Sequence, residues 1–130
     1  MKRIVLLLLA IVMCFGLINA QSKNADIKFK ATTYNFGKFS EEHPVVTCSF
    51  VFTNTGDAPL VVHQVIPSCG CTVADYPKQP IMPGKQSSIK VTYNGTGHYP
   101  GMIHKYVTVH TNAKTGDIRL YIEGEMTAKN

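Results

Sequence analysis

The side chains in this sequence best suited to chemistry are cysteines. Cys69 and Cys71 flank a single glycine, Gly70, while Cys48 and Cys14 lie further back in the chain. Thiolates act as nucleophiles, soft-metal ligands and redox couples. In an extended chain Cys69 and Cys71 face the same side, about 6.6 Å apart at roughly 3.3 Å per residue. That is near the upper limit for a disulfide, and Gly70 tolerates the positive φ that would curl the loop and close the gap. A bond across one residue would be strained and easily reduced. Two thiolates could instead chelate copper(I) or zinc, with Cys48 as a third ligand. The plainest alternative is that Gly70 shapes a tight loop and the thiols are structural.

The five histidines, His43, His63, His98, His104 and His110, are scattered. His104 and His110 share strand parity but sit about 20 Å apart on an extended chain, too far to share one metal. His63 matches the parity of Val61 and Val65 and could sit near the cysteines. Glu41 and Glu42 are adjacent in a loop before Pro44, where neighbouring carboxylates point apart. The sequence has no Gly-x-Ser-x-Gly, no Gly-rich phosphate loop and no His-Glu-x-x-His. No catalytic set is assembled, which favours a non-enzymatic module.

The elements that must position the cysteines follow from patterning. Met1-Lys2-Arg3 is a basic start, Ile4 to Phe15 is nearly all apolar, and Ile18-Asn19-Ala20 precedes a polar switch at Gln21. That order predicts a secretory signal peptide over residues 1–20, with the mature chain starting at Gln21. The apolar run is too short for a membrane span of about 20 residues. Cys14 leaves with this segment. A lipid anchor through Cys14 is the alternative, disfavoured because Met13 is not the small residue that lipidation wants. Removing residues 1–20 takes away Lys2 and Arg3, leaving 11 basic residues against 8 acidic ones, a balance of +3 in place of +5. That spread of charge gives no footprint for nucleic acid.

At 130 residues the chain has room for one domain. With no Trp, the core must come from Val, Ile, Leu, Phe and Tyr. Period-2 alternation predicts strands over 27–31, 33–39, 45–54, 60–66, 87–94, 102–111 and 118–126. The phase of 60–66 is broken, and a β-bulge near His63-Gln64 would reconcile it. Thr72-Val73-Ala74 could resume that strand after a break at Ser68–Cys71. Seven short strands separated by turn residues predict an all-β, seven-stranded immunoglobulin-like sandwich over 27–127. A linker at 21–26 and a tail at 128–130 complete the chain. The expected core is Val46, Phe50, Phe52, Ile89, Val91, Val107, Val109, Leu120 and Ile122.

Folding the chain at Gly56-Asp57 brings Cys48 level with Pro67, two residues before Cys69. Cys48 lies on the apolar face of its strand, so even if the two strands belong to opposite sheets, about 10 Å apart, inward-pointing side chains can bridge the gap. Cys48 is therefore expected to be buried beside Cys69 and Cys71, with one disulfide involving one of that pair. Without Cys14 three cysteines remain, so one is left as a free thiol, an intermolecular link or a ligand. An oxidising compartment favours the disulfide over metal.

Phe50-Val51-Phe52-Thr53-Asn54-Thr55-Gly56-Asp57, then Ser68-Cys69-Gly70-Cys71-Thr72, Pro83-Gly84 and Val107-Thr108-Val109-His110-Thr111-Asn112 form a recognisable series. The series ends at Leu120-Tyr121-Ile122-Glu123-Gly124-Glu125. It resembles a family of exported bacterial proteins, a domain of unknown function with Asn-Thr-Gly and Cys-Gly-Cys-Thr motifs. That family is similar to the immunoglobulin-like ASH, major-sperm-protein and PapD-type domains. The resemblance spans about Phe36 to Met126 and implies a sandwich and export, but no activity. Cys48 departs from the polar residue that the resemblance implies there.

The expected protein is thus an exported module, periplasmic or extracellular, with no membrane span after residue 20. It needs no cofactor and binds an envelope protein or a surface polymer rather than nucleic acid. The rival is a small copper- or zinc-binding or thiol-redox protein built on Cys69 and Cys71, with Cys48.

Overall fold

The computed structural model describes residues 23–129. The expected signal peptide, its boundary at Gln21 and Cys14 lie outside the described residues. Eight strands follow in order: β1 (Ile27–Phe29), β2 (Thr33–Ser40), β3 (Val45–Asn54), β4 (Val62–Pro67), β5 (Thr72–Asp75), β6 (Gln86–Asn94), β7 (Gly101–Thr111) and β8 (Ile118–Thr127). They form two four-stranded sheets, ordered β1-β3-β6-β5 and β2-β8-β7-β4. All pairs are antiparallel except β2 with β8.

The strand count differs from the seven expected. Thr72–Asp75 does not resume β4. It crosses to the other sheet and pairs with β6, Thr72 opposite Tyr93 and Asp75 opposite Lys90. The bulge in β4 is present, with the register against β7 shifting between Val62 and Gln64. It lets Val62 and Val65 both face the core.

Alternation drives burial as expected in β3, β6, β7 and β8. Phe50, Phe52, Ile89, Val91, Val107, Val109, Leu120 and Ile122 are all buried, and Val46 is half-buried against them. Phe52 is fully enclosed and packs a tilted ring on Phe29, centroids 5.4 Å apart. Leu60 and Ile81 add a loop contribution, joined by a pair of backbone hydrogen bonds of 2.8 Å each.

The Asn-Thr-Gly motif is structural. Asn54 is wholly buried at the end of β3, and its amide donates to the carbonyls of Ala58 (2.8 Å) and Ile81 (2.9 Å). Its side-chain oxygen accepts from the N–H of Gly56 (2.9 Å) and of Asp26 (3.4 Å). One side chain thus satisfies three loops that would otherwise bury unpaired groups.

Asn24–Asp26, placed in a linker by the sequence, are tied into this end of the sandwich. Ala25 is buried, and its carbonyl accepts from Lys114 N–H at 2.9 Å. The Thr115 hydroxyl donates to the Asp26 carboxylate and is the main cause of an Asp26 pKa below the usual range; burial opposes it, and backbone N–H groups of Ile27 and Thr115 reinforce it.

Candidate functional site

The β4–β5 crossover carries Cys69-Gly70-Cys71 from the edge of one sheet to the edge of the other. The structure brings the sulfurs of Cys69 and Cys71 into bonding contact, with Cα atoms 5.3 Å apart. The loop is also fixed by bonds that do not involve sulfur. Ser68 N–H donates to Tyr106 C=O (2.9 Å), Tyr106 N–H to the Ser68 hydroxyl (3.1 Å), Thr72 N–H to Cys69 C=O (3.3 Å) and Asn94 N–H to Cys71 C=O (2.8 Å). Gly70 does not use the positive φ expected of it, and a Cβ there would meet nothing within 4 Å. Neither backbone strain nor crowding requires glycine at this tip.

Cys48 does not join the pair, contrary to the expectation. It is buried and free. β4 lies in the other sheet, as the sequence allows, and the difference comes from β5. The chain returns to the first sheet only as β5, on the far side of β6. Cys48 and Ala74 both stand opposite Val91, two strand spacings or about 9.6 Å apart. Cys71 is three residues beyond Ala74, about 10 Å further along. A disulfide spans at most about 7 Å between Cα atoms. Burial pushes the Cys48 thiol up to about 11, the profile of an inert core cysteine.

The three-cysteine copper or zinc cluster is therefore not assembled. Among the described residues, no group of three or more His, Cys, Asp or Glu is placed to hold a metal. His63 is exposed, and its carbonyl, rather than its ring, meets the Tyr76 hydroxyl at 3.5 Å. His104 and His110 lie on the outward face of β7, as their parity predicts, each beside a carboxylate. His104 is 3.8 Å from Glu123, and His110 is 2.9 Å from Asp117.

The magnitude of the Cys69–Cys71 link argues against a staple. Loop-closure entropy gives about 1.5 kcal/mol for so short a ring, against about 3 for a 15-residue loop. The surrounding backbone bonds already fix the loop.

The outer faces of the two sheets differ sharply. On the β1-β3-β6-β5 sheet the outward positions of the two central strands are Val45, Thr47, Ser49, Val51 and Thr53, then Gln86, Ser88, Lys90, Thr92 and Asn94, with Val73 of β5 exposed beside them; the surface is without rings and is crossed by a Thr47–Thr92 hydroxyl contact of 3.0 Å. On the β2-β8-β7-β4 sheet, register places Met102 opposite Glu125, His104 opposite Glu123, Tyr106 opposite Tyr121 and Thr108 opposite Arg119. The rings form a continuous patch: Tyr106 to Tyr121 is 6.0 Å, His104 to Tyr121 is 5.7 Å, and the Arg119 guanidinium lies 4.5 Å above the Tyr106 ring. Met102 is 79% exposed at its end.

An open trough of about 390 Å³ runs along the same face, lined by Asn35, Lys38, Met102, His104, Glu123 and Glu125 among others. It exists because β2 breaks register against β8 between Asn35 and Lys38. Gly37 takes φ +68° there, and its N–H donates to the Asn35 side chain at 2.7 Å. Ser68 joins the patch to the cysteine loop through its two bonds with Tyr106. Alternation along β7 and β8 puts His104, Tyr106, Arg119, Tyr121 and Glu123 on the solvent side, but alternation alone does not gather them into a site. The available signal was tyrosine at outward positions on two strands joined by the short turn at Asn112–Gly116.

A family model described as a protein of unknown function (DUF1573) matches residues 27–126. Curated proteins offer no match to this sequence. Among solved structures, the fold is similar to a protein of unknown function from Porphyromonas gingivalis W83, with TM-score 0.68 and 15% identity over 85% of this chain. This chain spans about half of that one, 51% of its length. The ASH/PapD-like domain 7 of human CEP192 is similar over 88% of this chain and 95% of its own, with TM-score 0.61 and 9% identity. The periplasmic chaperone SfaE aligns over 80% of this chain and 58% of its own, with TM-score 0.54 and 15% identity. These likenesses establish an immunoglobulin-like, PapD-like sandwich.

Proposed function

Because the chain belongs to the DUF1573 family of proteins of unknown function, we propose its role from its geometry: an exported, non-enzymatic module that binds a protein of the cell envelope through the outer face of the β2-β8-β7-β4 sheet. The observation that carries this reading is the asymmetry between the two outer faces. One presents Thr, Ser and Lys with the valines Val45, Val51 and Val73, and its outward strand positions carry no aromatic ring. The other presents Tyr106, Tyr121, Arg119, His104 and Met102. Tyr, Arg and Met are enriched where proteins meet, and Lys and Ser are depleted there.

The ring contacts and the Arg119 stack hold these side chains in place before a partner arrives, which lowers the entropy cost of binding. The trough is open on one side, which suits a protein surface better than an enclosed small molecule. The periplasmic role named for the SfaE chaperone supports an envelope setting by analogy of fold.

Export rests on residues 1–20, and cleavage is expected after Ala20. Intact mass of the exported form should begin at Gln21. A mass that retains Met1, or carries acyl chains on Cys14, would contradict this part of the reading.

The binding reading is tested by sizing the exported protein in gently solubilised envelope extract. The wild type should migrate with a partner. The Tyr106→Ser/Tyr121→Ser double variant should lose at least about thirtyfold in affinity, about 1 kcal/mol for each truncated ring. Identical migration of folded wild type and variant would refute the role of this face.

A further inference from the structure

We propose that Cys69 and Cys71 form a reversible disulfide–dithiol couple that exchanges with cysteine thiols of other proteins. Four features of the loop converge on this. The two sulfurs are in contact across one residue. The tip is open, with Gly70 exposed and free space where a side chain would project. The backbone on both sides is held by bonds that do not depend on sulfur, so the pair can open without refolding the loop. The Thr72 hydroxyl stands 3.6 Å from Cys69 Sγ and 3.8 Å from Cys71 Sγ, where it can donate to whichever becomes a thiolate.

Both cysteines are partly exposed, and Cys71, unlike Cys69, packs against the hydrophobic core. An incoming thiolate RS⁻ therefore attacks Cys69 Sγ. The R–S–Sγ(Cys69) bond forms and the Cys69–Cys71 bond breaks. The electron pair leaves on Cys71 Sγ, which then takes up a proton. A second substrate thiolate attacks the R sulfur, forms RS–SR and expels Cys69 as a thiolate, which is protonated in turn. Two substrate thiols are oxidised to one disulfide, and the pair gains two electrons and two protons. Run in reverse, the reduced pair reduces a substrate disulfide. Open, exposed disulfides of this kind are the exchangeable class. Cys48 takes no part, being buried and distant.

The test uses the exported protein without residues 1–20, and so without Cys14, equilibrated in buffers of reduced and oxidised glutathione and then alkylated for mass measurement. The native protein should pass reversibly between zero and two alkylated thiols while remaining folded, with Cys48 labelled only after denaturation. On incubation with oxidised glutathione, reduced Cys71→Ser should trap one glutathione on Cys69. Reduced Cys69→Ser should react about tenfold more slowly, because its remaining thiol packs inward. A pair that stays oxidised across these buffers would overturn the proposal. So would unfolding on reduction, or equal trapping by the two variants.

Discussion

Phe52→Ala should destabilise the protein by about 3–5 kcal/mol, read from chemical unfolding at fixed temperature. Phe52 is wholly enclosed near the C-terminal end of β3 and packs on Phe29 from the neighbouring edge strand. Removing the ring deletes a large transfer contribution and leaves a cavity that two sheets pinned by long ladders cannot collapse to fill. β3 pairs with β6 over nine residue pairs, from Val45–Asn94 to Thr53–Gln86, so the backbone has little freedom to move inward. A cost below about 1 kcal/mol would place Phe52 outside the core.

Gly56→Val should have an effect at least as large, about 3 kcal/mol or more, for a different reason. The position has no unusual φ to preserve. The conflict is one of space. A Cβ on Gly56 would lie 2.2 Å from the Asn24 carbonyl oxygen and 2.5 Å from the Asp26 nitrogen. Both are backbone atoms and cannot swing aside. The N-terminal segment would have to detach, breaking the Asp57 N–H to Asn24 C=O and Thr55 N–H to Asp26 C=O bonds of 2.9 and 3.1 Å. Hydrogen exchange should show protection lost first at Asp57 and Thr55. Unchanged protection at both would mean that the close approach is not real.

Much of the fold was legible because strand alternation is local. Val45–Asn54 reads as a strand from its own residues, and the structure gives it the same limits. The β4 bulge was legible for the same reason, since Val62 and Val65 cannot both face inward on an unbroken strand. β5 was harder. It has four residues, only Thr72 of them buried, and its partner β6 lies beyond a loop rich in proline. The placement of Cys48 failed on that point. Its inward direction follows from parity, but its distance from Cys71 depends on which sheet each strand joins, and parity says nothing about that. The outer patch was half visible. Each strand shows which residues face out, but only the β7–β8 register sets Tyr106 beside Tyr121 and Arg119 over Tyr106. The Asn-Thr-Gly motif, a fingerprint in the sequence, turns out to tie three loops together rather than to face a ligand.

These observations separate two parts of the molecule. The end of the sandwich near Asn54 and Gly56 is built for stability, with buried polar groups satisfied and backbones in close approach. The β2-β8-β7-β4 face and the adjoining cysteine loop hold the exposed aromatic rings and the open sulfur pair.

The claim that this face receives a partner protein is tested most directly by site-specific photo-crosslinking in living cells. A photoreactive side chain is placed at Met102, on the patch, or at Ser88, on the outer face of the other sheet. The account predicts a discrete protein adduct from position 102 and none from position 88. Adducts of equal yield from both positions, or from position 88 alone, would contradict it.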